Sequence, residues 1–192
     1  MNWTRSETLA LANQRCSVCR GIGIRDGKKE DKLPCKCVLR AIFRICFQRF
    51  VECVTIDSTI SQVRIERRPG KAGHVTWGRK QEEYIADFMK LTERTLTPAQ
   101  FKLFRYHFLL GADYLLCCRR LQIDKGTFFH AVYRIQQRLG NAFRSTEPYA
   151  LFPLDEYFGG TIQNMNPVRR GSYPDWQRQQ HLSERVPIQK AA

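Results

Sequence analysis

The feature that most constrains the fold is a set of helix-start signals at residues 96–100. Thr97 is a good N-cap, and Pro98 falls at the first helical position, where its missing N–H costs nothing. Gln100 can bond back to Thr97 and complete a capping box, while Leu96 and Phe101 fit a hydrophobic staple. An apolar face at helical spacing then continues through Phe101, Phe104 and Phe108. The segment predicts a helix that begins at Pro98 and ends at Gly111.

Two further helices are predicted directly after it. Asp113 can cap a short helix, Tyr114–Leu121, and Asp124 can cap a third helix over residues 125–143. At about 100° per residue, one stripe of the third helix collects Phe128, Val132, Ile135, Leu139 and Phe143. The opposite face carries the polar side chains His130, Tyr133, Arg134 and Gln137, with Thr127 beside them. Side-chain donors on an outer face are what reading base edges in a major groove requires.

These residues carry a resemblance to a known family. The segment from Leu96 to Leu139 resembles the C-terminal DNA-binding region of bacterial sigma factors. The matching features are the Leu-Thr-Pro opening, Cys118 at a small-residue position, Ile123 in the turn, Gly126-Thr127 and the closing Arg134-x-x-x-Arg138-Leu139. Gln122 stands where that family has a turn glycine. The resemblance implies a helix-turn-helix whose DNA contacts are Lys125, Thr127, His130, Tyr133 and Arg134.

Two close cysteine pairs lie near the N-terminus. Cys16-x2-Cys19 and Cys35-x-Cys37 are separated by a loop rich in glycine and lysine. Four thiolates from two tight pairs can complete a tetrahedral zinc site, and a long loop between them costs little closure entropy. Gly21 and Gly23 would let the backbone turn around the metal, and nearby lysines would offset the negative charge. We therefore expect zinc at Cys16, Cys19, Cys35 and Cys37.

The first pair also resembles one Cys-x-x-Cys-x-Gly-x-Gly unit of the zinc module of DnaJ chaperones. The second pair, Pro-Cys-Lys-Cys, is shorter than that family's unit. A redox Cys-x-x-Cys is the alternative, but it expects a helix opening at the motif, and Arg-Gly-Ile-Gly follows here instead. Cys46 and Cys53 are interpreted as core residues, with Cys46 as a possible spare ligand.

A dense apolar stretch with three arginines follows the cysteine pairs. Residues 38–54 predict a helix that packs on the main domain, with Arg40, Arg44 and Arg49 in solvent or on phosphate. A surface helix at a membrane is the other interpretation. Residues 148–158 alternate proline with aromatic residues, and we expect them to dock back on the helices or to bind a partner.

The chain divides into four segments. We predict a zinc-binding module with the basic apolar helix over 1–56, a linker or weak hairpin over 57–80, a helical helix-turn-helix domain over 81–158 and a disordered basic tail over 159–192. The predicted fold class is mainly α. No run of eighteen apolar residues and no secretory leader is found, and eight cysteines without a leader indicate a reducing, cytoplasmic location.

The net charge of +14 points to a polyanionic partner. With the sigma-like helices, it favours a DNA-binding transcription regulator similar to small phage and prophage regulators, with RNA polymerase open as a second partner. The alternative is a zinc-containing chaperone-like or protein-interaction module. The four histidines are scattered and no nucleophile–base arrangement is found, so an enzyme is not expected. The oligomeric state is left open.

Overall fold

A computed structural model of the chain describes residues 5–26, 32–63, 73–146 and 150–158, and these ranges all fall within one compact unit, Met1–Gly160. It is mainly helical, as predicted. The N-terminal elements are α1 (Arg5–Leu11), the strands β1 (Ile24–Asp26) and β2 (Lys32–Pro34), α2 (Lys36–Val63) and α3 (Gly73–Thr95). The C-terminal elements are α4 (Pro98–Phe104), a π-helical segment (Arg105–Leu109), α5 (Tyr114–Leu121), α6 (Lys125–Ser145) and α7 (Leu154–Tyr157). The predicted tail lies outside the described residues.

The core forms where α2 packs against α3 and α6. Phe88 of α3 stacks on Phe50 of α2 with ring centroids 4.5 Å apart, and its ring centroid lies 4.9 Å from that of Phe143 in α6. The five apolar residues predicted to form the inner stripe of α6 are all buried. Cys46 and Cys53 are buried in α2, as predicted for core residues. The segment predicted as the zinc module therefore shares one core with the segment predicted as the helical domain.

The backbones of α2 and α6 approach very closely at Gly140. A Cβ built on Gly140 would lie 1.8 Å from the carbonyl oxygen of Leu39, far inside van der Waals contact. Only glycine fits this crossing, because any side chain would overlap main-chain atoms. Gly140 therefore fixes the separation of the two helices.

The prediction for the α2 arginines needs a correction. The helix packs on the main fold as expected, but Arg49 is only 2% exposed and does not lie in solvent. Its guanidinium lies over the ring of Phe158, 4.6 Å from the centroid, and pairs with Glu52 at 3.3 Å. Arg49 lies on the same face of α2 as the buried Cys46 and Cys53, so its side chain enters the core, where the ring and the carboxylate offset its desolvation.

Residues 150–158 dock on the helices, which is the first of the two predicted alternatives. The Leu151 N–H donates to the carbonyl of Phe143 at 2.8 Å, and the Tyr157 hydroxyl donates to Asp87 Oδ2 at 2.8 Å. Burial and the Asp87 carboxylate raise the pKa of Tyr157. The C-terminal extension thus closes the α3 side of the core.

The segment predicted as a linker or weak hairpin is helical wherever the structure describes it. Residues 57–63 and 73–80 belong to α2 and α3. Residues 64–72, which contain the predicted Pro69-Gly70 breaker, lie outside the described residues. Helix propagation explains the difference, because adding a residue to an existing amphipathic helix is easier than nucleating a separate hairpin.

Candidate functional site

The four predicted ligand cysteines come together in space. The Sγ atoms of Cys16 and Cys35 are 3.7 Å apart, and those of Cys19 and Cys37 are 3.5 Å apart. All four sulfurs lie within 4.8 Å of one another. A tetrahedral site with Zn–S bonds of about 2.3 Å needs sulfurs about 3.8 Å apart, so this spacing fits zinc. The cluster can hold a metal ion.

The backbone around the cluster explains why these residues meet. Arg20, Gly21 and Gly23 adopt positive φ angles of 48°, 88° and 79°, which reverse the chain after the first pair. Gly23 is required on steric grounds as well, since a Cβ there would lie 2.2 Å from the carbonyl oxygen of Thr8 in α1. The Cys35 N–H donates to the Gly23 carbonyl at 2.8 Å, which brings the second pair back beside the first.

Main-chain N–H groups and burial shape the electrostatics of the thiols. The N–H groups of Cys19 and Val18 bond to Cys16 and lower its pKa to about 6. Burial raises the pKa of Cys35, and the hydrogen bond that its sulfur accepts from the Cys37 N–H opposes this rise. Burial raises the pKa of Cys37 to about 12. A bound cation would supply the charge that lets the buried thiols ionise. With four sulfurs as ligands, no coordination position stays open for a substrate, which is typical of a structural site.

A second feature is the start of α6, which is held by Asp124. The Asp124 carboxylate accepts the Thr127 N–H at 2.9 Å and the Thr127 hydroxyl at 2.5 Å. Gln122 takes the left-handed conformation, with φ 53° and ψ 45°, at the end of α5. A glutamine thus fills the turn position for which a glycine would be the easier residue. The caps at Thr97, Asp113 and Asp124 all form as predicted.

The Asp124 cap predicts a pH dependence. Hydrogen bonds from Thr127 hold the pKa of Asp124 below its ordinary value of 3.8. A pKa that is lower in the folded state stabilises the fold above the unfolded value and loses that contribution as pH falls through the folded value. We expect thermal unfolding of Asp124→Asn, which keeps an acceptor that does not titrate, to depend less on pH below 3.8 than that of the wild type.

Asp155→Asn provides a matched control. Asp155 is an exposed carboxylate in the first turn of α7, and it does not cap α6. Identical acid profiles for Asp124→Asn and the wild type would contradict the role assigned to the cap.

The five residues predicted to contact DNA do not all lie together on one face. His130, Tyr133 and Arg134 are exposed and lie within an arc of roughly 100° on α6, opposite the buried stripe. The Thr127 hydroxyl is already bonded to Asp124. Lys125 is exposed but turns toward α5, where its Nζ lies 5.4 Å from the ring centroid of Tyr114. The structure therefore brings three of the five together.

Two further arginines lie at this face: Arg138, which was not among the predicted DNA contacts, and Arg40, which was predicted in solvent or on phosphate but not beside α6. Arg138 is exposed one turn after Arg134, and its Nη1 donates to Gln100 Oε1 at 2.9 Å. Its spacing from Arg134 was a usable signal. Arg40 of α2 lies over the Tyr133 ring, 5.2 Å from the centroid. No sequence pattern could place Arg40 there, because the contact depends on how α2 crosses α6.

Within the described part of the chain, no helix has both the length and the apolar character needed to cross a bilayer. Comparison with protein-family models, with curated proteins and with solved structures gave no match to this chain.

Proposed function

We propose that the chain is a DNA-binding transcription regulator of bacterial or phage type, acting in the cytoplasm, which reads duplex DNA with α6 and is stabilised by zinc at the four cysteines. The observation that carries the proposal is the outer face of α6, where His130, Tyr133, Arg134 and Arg138 are exposed together. From His130 to Arg138 this face extends about 12 Å, close to the width of a major groove at about 12 Å.

The charge of the surrounding helices supports the same function. Residues 98–145 contain eight Lys and Arg residues but only two acidic residues, Asp113 and Asp124. Both carboxylates accept main-chain N–H groups as helix caps, from Leu116 and Thr127 respectively. The two carboxylates therefore sit at helix starts, and the excess of positive charge in this segment would attract phosphate.

Zinc would act through α2 on α6, the helix proposed to read DNA. Cys35 and Cys37 flank the first residue of α2, and Leu39 of the same helix touches α6 at Gly140. A metal that fixes the start of α2 therefore also fixes the helix against which α6 packs. We propose a structural role for the metal. RNA polymerase is a further proposed partner of the regulator.

One observation favours the alternative, a zinc-containing protein-interaction or chaperone-like module. The metal module exposes apolar side chains, with Val18 at 65% and Ile22 at 51% exposed. Exposed apolar side chains that lie together in a patch are typical of surfaces that bind other proteins. This function predicts binding to unfolded chains with little dependence on salt.

Duplex DNA binding is expected to weaken steeply with salt. Each phosphate that a Lys or Arg neutralises releases counterions, so four such contacts predict a loss of about 100-fold between 50 and 200 mM salt. Arg134→Ala should weaken binding by about tenfold without unfolding the chain, because Arg134 faces away from the core. A fluorescence anisotropy titration on genomic duplex fragments measures both effects.

Lys90→Ala is the matched control, since Lys90 is an exposed cation that belongs to α3 and not to the outer face of α6. Absence of DNA binding at low salt, or equal losses for Arg134→Ala and Lys90→Ala, would overturn the proposed role of α6. Salt-independent binding to an unfolded protein instead would support the alternative function.

A further inference from the structure

A groove at the corner between the π-helical segment and α5 carries exposed leucines. It is an open groove of about 800 Å³, and its lining includes Tyr106, Leu110, Leu115, Leu116, Arg119 and Arg120. Leu110 is 71% exposed, Leu115 49% and Leu116 47%. Single exposed leucines are common, but three around one groove form an apolar patch that the fold itself does not use. We call this surface the leucine groove.

The π-helical segment builds one wall of the groove. The Leu110 N–H donates to the Arg105 carbonyl at 3.0 Å, and the Ala112 N–H donates to the Tyr106 carbonyl at 2.9 Å. These wide turns leave Leu110 at the rim while Phe108 stays in the core. π-helical turns inside α-helices frequently occur at functional sites, because the extra residue redirects the side chains that follow.

The corner is held in place from beneath. The Ala112 carbonyl accepts a bond from His107 Nδ1 at 3.0 Å and from Cys117 Sγ at 3.8 Å. His107 and Cys117 are both buried, and burial lowers the pKa of His107, which keeps the ring neutral. The groove is thus a preformed surface, so a ligand would lose little entropy in ordering it.

The arginines at the leucine groove favour an acidic ligand. On α5, Leu115 and Arg119 lie one turn apart on the same side, as do Leu116 and Arg120, so each exposed leucine is followed by an exposed arginine. The acidic residue at the groove, Asp113, caps the helix by accepting the Leu116 N–H at 2.7 Å. The groove therefore combines exposed apolar side chains with two exposed arginines of α5.

We propose that the leucine groove binds an acidic amphipathic helix of a partner protein. Apolar side chains of that helix would cover the three leucines, and its Asp or Glu side chains would pair with Arg119 and Arg120. A second copy of this chain fits less well, because the arginines of the two copies would repel each other. DNA fits less well because phosphates gain nothing from contact with leucines.

The surface goes beyond DNA recognition and can be tested without DNA. The probe is a fluorescent, lactam-stapled helical peptide with leucines along one face and glutamates beside them. Its controls are the same peptide with lysine in place of glutamate and the same peptide with alanine in place of leucine. We expect the full-length chain to bind the glutamate peptide at least tenfold more tightly than either control in fluorescence anisotropy.

Two variants locate the binding. The double variant Leu115→Gln/Leu116→Gln should weaken the glutamate peptide at least tenfold, with circular dichroism and duplex DNA affinity unchanged. Arg119→Glu/Arg120→Glu should reverse the preference toward the lysine peptide. No measurable binding of the glutamate peptide, or binding that either variant leaves unchanged, would overturn the proposal. A loss of DNA affinity in the leucine variant as large as its loss of peptide affinity would assign the groove to DNA and equally overturn it.

Discussion

Cys19→Ser is expected to abolish metal binding and to destabilise the whole chain, not only its N-terminus. Cys19 is buried, its sulfur lies 3.5 Å from that of Cys37, and the metal-ligand cluster found among the described residues consists of Cys16, Cys19, Cys35 and Cys37. Structural zinc contributes about 10–16 kcal/mol to the folding of zinc-finger peptides. We expect the free energy of unfolding to fall by about 4 kcal/mol or more, because α2 begins inside the cluster and carries one side of the core.

The measurement is metal content by elemental analysis combined with urea unfolding. The wild type purified without chelator should contain one zinc per chain, and Cys19→Ser should contain none. Cys118→Ser is the control, since Cys118 is half-exposed on α5 and lies outside the cluster. A metal-free wild type, or equal stabilities for the two variants, would show that the cluster holds no structural ion.

Gly140→Ala is the second change with a large expected effect. The new Cβ would lie 1.8 Å from the Leu39 carbonyl oxygen and 2.7 Å from its carbonyl carbon, so the backbones of α2 and α6 must move apart. Overpacking a core costs about 1–3 kcal/mol and occasionally more, whereas alanine in place of a helical glycine gains only about 0.5–1 kcal/mol. Because a 1.8 Å overlap with main-chain atoms falls at the upper end of the overpacking cost or above it, we expect a net loss of about 2 kcal/mol or more in urea unfolding.

Gly126→Ala is the matched control in the same helix. A Cβ there meets only the carboxylate of Asp124, at 3.1 Å, and a side chain can shift where a backbone cannot. Its stability should stay within about 1 kcal/mol of the wild type. If Gly140→Ala were as stable as Gly126→Ala, the close approach of α2 and α6 would not exist in solution.

Features decided by neighbouring residues could be predicted from the sequence. The capping box at Thr97 depends on a residue three positions away, and the start of α6 depends on Asp124 and Thr127. The buried stripe of α6 follows from helical periodicity alone. The four cysteines could be assigned to one metal site because they form two closely spaced pairs, and four thiolates need a cation to balance their charge.

Features decided by packing could not be predicted. The burial of Arg49 depends on Phe158, more than a hundred residues away in sequence, which covers its guanidinium. Arg40 reaches Tyr133 only because α2 crosses α6 at Gly140. The π-helical segment was predicted as ordinary helix, since its apolar spacing does not distinguish the two. Each of these results from contacts between elements that have no local sequence signal.

The packing of α2 on α6 also has a consequence for synthesis of the chain on the ribosome. Phe43 in α2 packs against Phe143 in α6, with ring centroids 6.3 Å apart, yet a hundred residues separate them in the chain. At about 5–20 residues per second, α2 waits about 5–20 s for its partner. During that interval Phe43 has no α6 partner on the nascent chain, whereas the cysteine cluster that precedes it can already be complete. Metal binding at this stage would therefore give the nascent chain its first ordered segment.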